Sequence, residues 1–175
     1  MTRIILLGYM GAGKTTIGKP LAEALGLPFY DLDWYISMRY RRSVPQIFDE
    51  RGEEGFRELE RRMLHEVAEF ENVVVSLGGG TPCFFDNMEY INSLATTVYL
   101  KATPEVLAAH LRMGKGVRPL LTGKTPEELN AYITQSLAAR EPFYSMAKYT
   151  LDVSLLDSLK QVDKSVAQLR QLIGV

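Results

Sequence analysis

The sequence predicts a doubly wound α/β fold, in which helices cover both faces of a parallel sheet. The first run of the chain, Ile4-Ile5-Leu6-Leu7, is apolar at every position, as a strand buried on both faces requires. Short apolar runs of this kind then alternate with helical patterns along the 175 residues, the order that builds a parallel sheet. Ligands of such folds bind beyond the carboxyl ends of the strands.

The predicted elements follow one another without a repeat or a low-complexity linker. Further strands are expected at residues 29–31, 73–77, 97–100 and 149–153. Helices are expected from the end of the glycine-rich turn to Leu25, then at about 34–41, 45–51, 53–70, 86–93, 104–112, 126–140 and 156–173. Pro20 should remove a backbone hydrogen bond from the first helix or kink it. Residues 113–124 contain three glycines and have no sustained period, which predicts a mobile loop.

Composition sets limits on the functional class. Lys and Arg number 20 against 21 Asp and Glu, a net charge of −1, so no basic field favours nucleic acid as a partner. Hydrophobic residues make up 46% of the chain, which is typical of one globular domain over residues 1–175. Cys83 is the only cysteine and cannot form an internal disulfide, and no apolar run is long enough to span a membrane. The start of the chain has no secretory signature, so we expect a cytoplasmic protein.

The glycine-rich turn is a phosphate-binding loop by its pattern. Residues 8–15, Gly-Tyr-Met-Gly-Ala-Gly-Lys-Thr, fit G-x-x-x-x-G-K-[ST] between a buried strand and a helix. Glycines let backbone N–H groups converge on a phosphate, and the helix N-terminus adds partial positive charge. Lys14 is expected to reach the β- and γ-phosphates of a nucleoside triphosphate, and the Thr15 hydroxyl to ligate Mg²⁺.

Two aspartates follow the second predicted strand. Asp31 and Asp33 are two residues apart, so on an extended backbone their side chains would share one side at the strand's carboxyl end. One carboxylate could lie near Mg²⁺ and the other near an acceptor hydroxyl, as phosphoryl transfer requires. The alternative is that both cap a helix beginning near Trp34.

A carboxylate-binding arginine is also predicted. Arg57 and Glu60 stand at i and i+3 of a helical pattern, where Glu60 could hold the guanidinium in one orientation beside Phe56. Three consecutive glycines, Gly78 to Gly80, follow the third strand and would let a ligand touch the backbone directly.

These residues give the chain a resemblance to the shikimate kinase family over essentially its whole length. The motifs that carry it are Gly8 to Thr15, Asp31-x-Asp33, Gly52-Glu53-x-x-Phe56-Arg57-x-x-Glu60, Gly78-Gly79-Gly80, Arg118-Pro119-Leu120-Leu121 and Arg140-x-Pro142-x-Tyr144. The resemblance implies ATP-dependent phosphorylation of the 3-hydroxyl of shikimate, a step of chorismate and aromatic amino-acid synthesis. It also implies a fold like that of nucleoside monophosphate kinases, with strand order 2-3-1-4-5.

The resemblance further implies a role for individual residues. Asp33 and the backbone of Gly79 and Gly80 would hold the shikimate hydroxyls, and Arg57 and Arg140 would clamp its carboxylate. Thr15 would ligate Mg²⁺ directly and Asp31 through water, supported by Ser76. The expected catalytic residues are Lys14, Asp33 and Arg118. The expected ATP-binding residues are Gly11, Ala12, Gly13, Lys14, Thr15, Thr16, Arg112 and Arg118.

Larger units are implied in the same way. A helical segment over about residues 33–62 would bind shikimate, and residues 113–124 would form a lid that carries Arg118. Shikimate and ATP are the expected partners of a monomer, without nucleic acid or membrane.

Two other functions remain open from the residues alone. A kinase of the same architecture could act on gluconate or on a nucleoside monophosphate. The second alternative is a nucleotide-dependent switch or ATPase, although the chain has no Asn-Lys-x-Asp guanine signature. Asp33, Arg57 and Arg140 favour a small hydroxylated acid as acceptor.

Overall fold

The fold, obtained as a computed structural model, is a parallel five-stranded sheet with helices packed against it. The structure describes residues 1–113, 122–154 and 159–175. The order of the strands across the sheet is β2-β3-β1-β4-β5, and every pairing is parallel. The strands are β1 (Arg3–Leu7), β2 (Phe29–Asp31), β3 (Val73–Ser76), β4 (Thr96–Lys101) and β5 (Tyr149–Asp152). Both the predicted fold class and the predicted strand order are confirmed.

The described part of the chain has seven α-helices, which lie between and after these strands. They are α1 (Lys14–Leu25), α2 (Leu32–Tyr40), α3 (Val44–Ala68), α4 (Asn87–Leu94), α5 (Pro104–Met113), α6 (Pro126–Tyr144) and α7 (Leu159–Ile173). A short 3₁₀ turn at Thr81–Cys83, which the sequence analysis did not anticipate, follows the three glycines. None of the helices within the described ranges is both long and apolar enough to cross a membrane.

The core explains why β1 lies at the centre of the sheet. Ile4, Ile5, Leu6 and Leu7 are almost completely buried, because helices cover both faces and neighbouring strands cover both edges. The carboxyl ends of β1, β2 and β3 therefore meet at one edge of the sheet. The phosphate-binding pattern follows β1, the two aspartates lie at the junction of β2 and α2, and the three glycines follow β3.

Two helices run through a proline. Helix α1 continues past Pro20, where a lost hydrogen bond or a kink was predicted, and the buried side chains of Ile17 and Leu21 pack it against the sheet on both sides of that residue. Helix α6 was expected to end near Arg140 but continues past Pro142 to Tyr144. Tertiary contacts of its last turn, described below, compensate for the hydrogen bond that proline cannot donate.

Gly52 interrupts α3 where the sequence pattern has a gap between two helical segments. Its backbone has φ 69° and ψ 178°, a conformation open in practice only to glycine. Phe48 before the break stacks on Phe56 after it, with ring centroids 4.3 Å apart. The break thus brings the two parts of α3 together around Arg57.

The predicted loop over residues 113–124 falls mainly outside the described residues. Met113 is the last residue of α5, and Thr125 is the N-cap of α6, with Glu128 completing a capping box.

Candidate active site

The phosphate-binding loop has the backbone that its glycines permit. Gly11 and Gly13 adopt φ 85° and 88°, and Gly13 is the N-cap of α1. Gly8 lies so close to β4 that a Cβ atom there would stand 2.7 Å from the Leu100 carbonyl oxygen. The loop is therefore closely packed on its inner side and opens onto the N-terminus of a helix, which is a general anion-binding arrangement.

Lys14 lies across this loop. Its Nζ donates hydrogen bonds to the carbonyl oxygens of Gly8 at 2.8 Å and Tyr9 at 3.0 Å. Thr15 and Thr16 follow in the first turn of α1 and are exposed, whereas Ala12 is buried beneath the loop. The ammonium and the Thr15 hydroxyl are thus attached to the turn whose free backbone N–H groups would face a phosphate.

The end of α5 packs against the same loop. The Nδ1–H of His110 donates to the Gly11 carbonyl oxygen at 2.8 Å, and a Cβ atom on Gly11 would stand 3.0 Å from Leu111 Cγ. Arg112 occupies the next position and is exposed, with its Nε donating to the Ala108 carbonyl oxygen. The contact between His110 and the loop was missed at the sequence level, because no pattern relates residues 99 positions apart.

Asp31 has the capping role that the sequence analysis left open as an alternative. It is the N-cap of α2, and its Oδ1 accepts a hydrogen bond from the Trp34 backbone at 3.0 Å. Its Oδ2 accepts from the Ser76 hydroxyl at 3.1 Å, which joins the ends of β2 and β3. The expectation that Asp31 and Asp33 share an extended backbone is wrong, because α2 begins at Leu32 and Asp33 lies in its first turn.

Asp33 faces the glycines after β3. A Cβ atom on Gly78 would stand 3.1 Å from Asp33 Oδ1. Burial raises the pKa of Asp33 to about 6, with a further increase from the negative charges of Asp31 and Glu60. Lys14 and Arg57 oppose this increase in pKa. Both acidic neighbours and both basic ones belong to the motifs singled out in the sequence.

Arg57 is held by the glutamate that the i, i+3 spacing predicted. Its Nη1 donates to Glu60 Oε1 at 2.9 Å, and the Arg57 side chain is only 14% exposed. The other oxygen of Glu60 accepts from the buried Thr81 hydroxyl at 2.9 Å. Burial raises the pKa of Glu60 while Arg57 lowers it, and the ion pair with Arg57 compensates for burying the carboxylate.

Gly79 and Gly80 lie between two arginines. A Cβ atom on Gly80 would come within 2.6 Å of Arg57 Nη2, and one on Gly79 within 3.2 Å of Arg140 Nη1. Neither glycine has a positive φ angle, so the absence of a side chain matters here for space rather than for backbone conformation. Two guanidinium groups therefore converge on one stretch of backbone, a suitable arrangement for binding a carboxylate.

The residues that follow Arg140 in α6 anchor this part of the helix. Tyr144 donates its hydroxyl hydrogen to the Gly79 carbonyl oxygen at 2.6 Å. Glu141 accepts from the Tyr99 hydroxyl at 2.6 Å and from Lys101 Nζ at 2.8 Å, which ties the helix to β4. The Arg140 Cζ lies 5.3 Å from the ring centroid of Tyr9 in the phosphate-binding loop. Sequence analysis named Arg140 but missed Tyr9, Tyr99 and Glu141.

Three other residues named from the sequence are Arg118, Trp34 and Cys83. Arg118 lies outside the described residues. Trp34, next to Asp33, is 55% exposed rather than packed in the core. Cys83 is a free thiol in the 3₁₀ turn, and burial raises its pKa although Arg140 and Arg57 are close enough to lower it.

The chain that carries this phosphate-binding loop, the two aspartates and the two convergent arginines matches a known family. The shikimate kinase family model matches residues 10–171. The chain belongs to the shikimate kinase family. A shikimate kinase of Phocaeicola vulgatus is 57% identical over 174 residues, with 99% of each chain covered.

Solved structures of the family have the same fold. The crystal structure of shikimate kinase from Bacteroides thetaiotaomicron has a TM-score of 0.97 and 53% identity, with 99% of both chains covered. The shikimate kinase from Acinetobacter baumannii, solved in complex with shikimate, has a TM-score of 0.82 and 32% identity, covering 99% of this chain and 94% of that one.

Proposed function

We propose that this shikimate kinase family member transfers the γ-phosphoryl group of ATP to the 3-hydroxyl of shikimate, giving shikimate 3-phosphate and ADP, through the residues described above. Family membership supplies the reaction and ATP as co-substrate. The assignment of roles rests on one observation above all: Arg57 and Arg140 converge on Gly79 and Gly80 beside Asp33, next to the phosphate-binding loop.

On the acceptor side, the two arginines bind the substrate carboxylate. A planar guanidinium matches a carboxylate through two parallel hydrogen bonds, which fixes the orientation of the shikimate ring as well as its position. Asp33 and the backbone of Gly79 and Gly80 bind the hydroxyl groups. In its ionised form Asp33 accepts the hydrogen bond of the attacking hydroxyl and can take its proton as the new P–O bond forms.

On the nucleotide side, the backbone of Gly11, Ala12 and Gly13, the side chain of Lys14 and the hydroxyls of Thr15 and Thr16 bind the phosphates. Lys14 exchanges its hydrogen bonds with the loop carbonyls for bonds to the β- and γ-phosphates. Arg112 lies on the turn of α5 that contacts the loop, which supports its assignment to the nucleotide site.

The oxygen ligands near the loop fit Mg²⁺, a hard cation that keeps several waters and binds few carboxylates. Thr15 would hold the ion directly, and Asp31, fixed by Ser76 and the Trp34 backbone, would hold it through water. When bound, the ion neutralises charge on the phosphate oxygens. The described residues contain no group of three or more His, Cys, Asp or Glu side chains arranged for a metal. Mg²⁺ at a nucleotide does not require one.

The lid stays a prediction from the sequence. We propose that residues 113–124 close over both substrates and bring Arg118 onto the transferring phosphoryl group, where its charge stabilises the transition state. Arg118→Ala should then lower kcat about 10²- to 10⁴-fold with smaller changes in either KM. We further propose that residues 1–175 work as one domain and as a monomer, with residues 33–62 forming the shikimate-binding segment.

The test is an ADP-release assay on the purified chain with shikimate, gluconate and nucleoside monophosphates as acceptors, and with ATP alone. We expect turnover with shikimate that requires Mg²⁺ and is lost in Lys14→Ala without a change in circular dichroism. Turnover with gluconate or a nucleotide instead of shikimate would refute the acceptor assignment. Equal ADP release without any acceptor would indicate an ATPase.

A further inference from the structure

The segment after the three glycines contains an aromatic residue that the reaction as described does not use. Phe84 follows the 3₁₀ turn, and its ring centroid lies 4.2 Å from Arg57 Cζ. The rings of Phe56 and Phe48 are more distant from the same atom, at 5.3 and 5.8 Å. Phe84 is thus the aromatic neighbour in closest contact with the guanidinium.

Hydrogen bonds alone do not fix the plane of the Arg57 guanidinium. Glu60 engages Nη1, whereas Nε is buried, has no hydrogen-bond partner among the described residues and lies 3.9 Å from Oε1 of the exposed Glu53, beyond hydrogen-bond distance. A single bond at Nη1 fixes the position of one corner of the group but allows the plane to rotate about it. A ring within 4.2 Å restricts that rotation, because a guanidinium gains most by lying over an aromatic face.

We propose that Phe84 is a positioning residue for shikimate binding: it fixes the plane of the Arg57 guanidinium in the orientation that a carboxylate meets. The inference rests on the proposed role of Arg57. Phe84 does not touch the substrate in this account. Because Phe84 already orders Arg57, less conformational entropy is lost when shikimate binds. Its effect is therefore on the affinity for the acceptor and not on the chemical step.

The chain offers a matched control one residue further along. Phe85 also stacks on an arginine, with Arg61 Cζ 5.2 Å from its ring centroid, and Arg61 pairs with Asp86 at 2.7 Å. This second pair lies at the surface, where Phe85 is 52% exposed, and neither of its residues is proposed to contact a substrate. Loss of the Phe85 ring therefore removes a contact of the same type without reaching Arg57.

The experiment compares Phe84→Leu, Phe84→Tyr and Phe85→Leu by calorimetric titration with shikimate and by steady-state kinetics. Phe84→Leu should weaken shikimate binding about 5- to 30-fold, the range for a desolvated cation–π contact. Its kcat and its KM for ATP should stay within twofold of wild type. Phe84→Tyr keeps the aromatic ring and should bind shikimate with nearly wild-type affinity. Phe85→Leu should also bind shikimate as the wild type does.

Equal shikimate affinity in Phe84→Leu and Phe85→Leu would overturn the inference, as would a loss confined to kcat. If Phe84→Leu lowers the melting temperature by more than a few degrees, Phe84→Met replaces it, because methionine fills similar space without a ring.

A double-mutant cycle separates this inference from the proposed function. If Phe84 acts through Arg57, adding Phe84→Leu to Arg57→Ala should weaken shikimate binding no further than Arg57→Ala alone. Additive losses would refute the inference while leaving Arg57 as the clamp. Unchanged shikimate binding in Arg57→Ala would instead refute the assignment of Arg57.

Discussion

At the scale of single residues, Asp33 combines burial with two acidic neighbours, and its pKa is raised to about 6. The ionised carboxylate is the form that can accept a proton from the attacking hydroxyl. We therefore expect kcat/KM for shikimate to fall about tenfold per pH unit below pH 6. Asp33→Asn should lower kcat/KM by about 10²- to 10³-fold and abolish this acidic limb. An acidic limb that persists in Asp33→Asn would belong to another group.

The same pKa shift predicts an effect on stability. Because the folded-state pKa of Asp33 lies above its ordinary value of 3.8, the folded state binds the proton more tightly than the unfolded state. The stabilising contribution is complete below about pH 4 and is lost as pH rises through 6. Asp33→Asn should therefore raise the melting temperature relative to wild type more at pH 8 than at pH 5, as measured by circular dichroism.

Gly80 is predicted to affect shikimate binding because an added side chain would occupy the space of the Arg57 guanidinium. A Cβ atom there would lie 2.6 Å from Arg57 Nη2, so the guanidinium must shift to admit it. Gly80→Ala should thus displace the guanidinium and raise the KM for shikimate about tenfold or more. Kinetics of Gly80→Ala in the Arg57→Ala background provide the control. A further loss in that background would show that Gly80 acts independently of Arg57.

At the scale of elements, Gly52 sets the shape of α3. Alanine at φ 69° and ψ 178° costs about 1–3 kcal/mol of stability, although no atom stands within 4 Å of the added Cβ. We expect Gly52→Ala to lower the melting temperature by roughly 2–10 °C in a chain of this length. Equal melting of Gly52→Ala and wild type would contradict this account.

Most of the elements were predictable, because apolar runs and helical periods report local structure. The break at Gly52, the cap at Thr125 and the contact of Arg57 with Glu60 all lie within reach of a sequence pattern. The failures involve distant contacts. Helix α6 continues past Pro142 because Tyr144 binds the Gly79 carbonyl, 65 residues away in the chain. Asp31 and Asp33 were expected on one extended backbone after the second strand, because the onset of α2 depends on a cap that propensity alone does not locate.

At the scale of the whole molecule, one sheet supports both of the proposed ligand sites. The nucleotide site follows β1 and is supported by α5, whereas the acceptor site draws on the ends of β2 and β3 and on α3 and α6. We assign Lys14 to the first site and Arg57 to the second, yet both lower the pKa of Asp33. The two sites thus share a core and an electrostatic environment while using different side chains for binding.

This arrangement predicts how ligands stabilise the protein against heat. A ligand that binds only the folded chain stabilises it by RT ln(1 + [L]/Kd), about 2.7 kcal/mol at a concentration of 100 times Kd. ADP with Mg²⁺ and shikimate, added separately at that excess, should each raise the melting temperature by roughly 5–10 °C. Arg57→Ala should lose most of the shift with shikimate and keep the shift with ADP, because we assign its guanidinium to the acceptor site. Lys14→Ala should show the opposite pattern.

Differential scanning calorimetry of the two variants, each with each ligand, measures all four shifts. Loss of the ADP shift in Arg57→Ala, with the shikimate shift retained, would place this arginine at the nucleotide and refute its assignment to the acceptor.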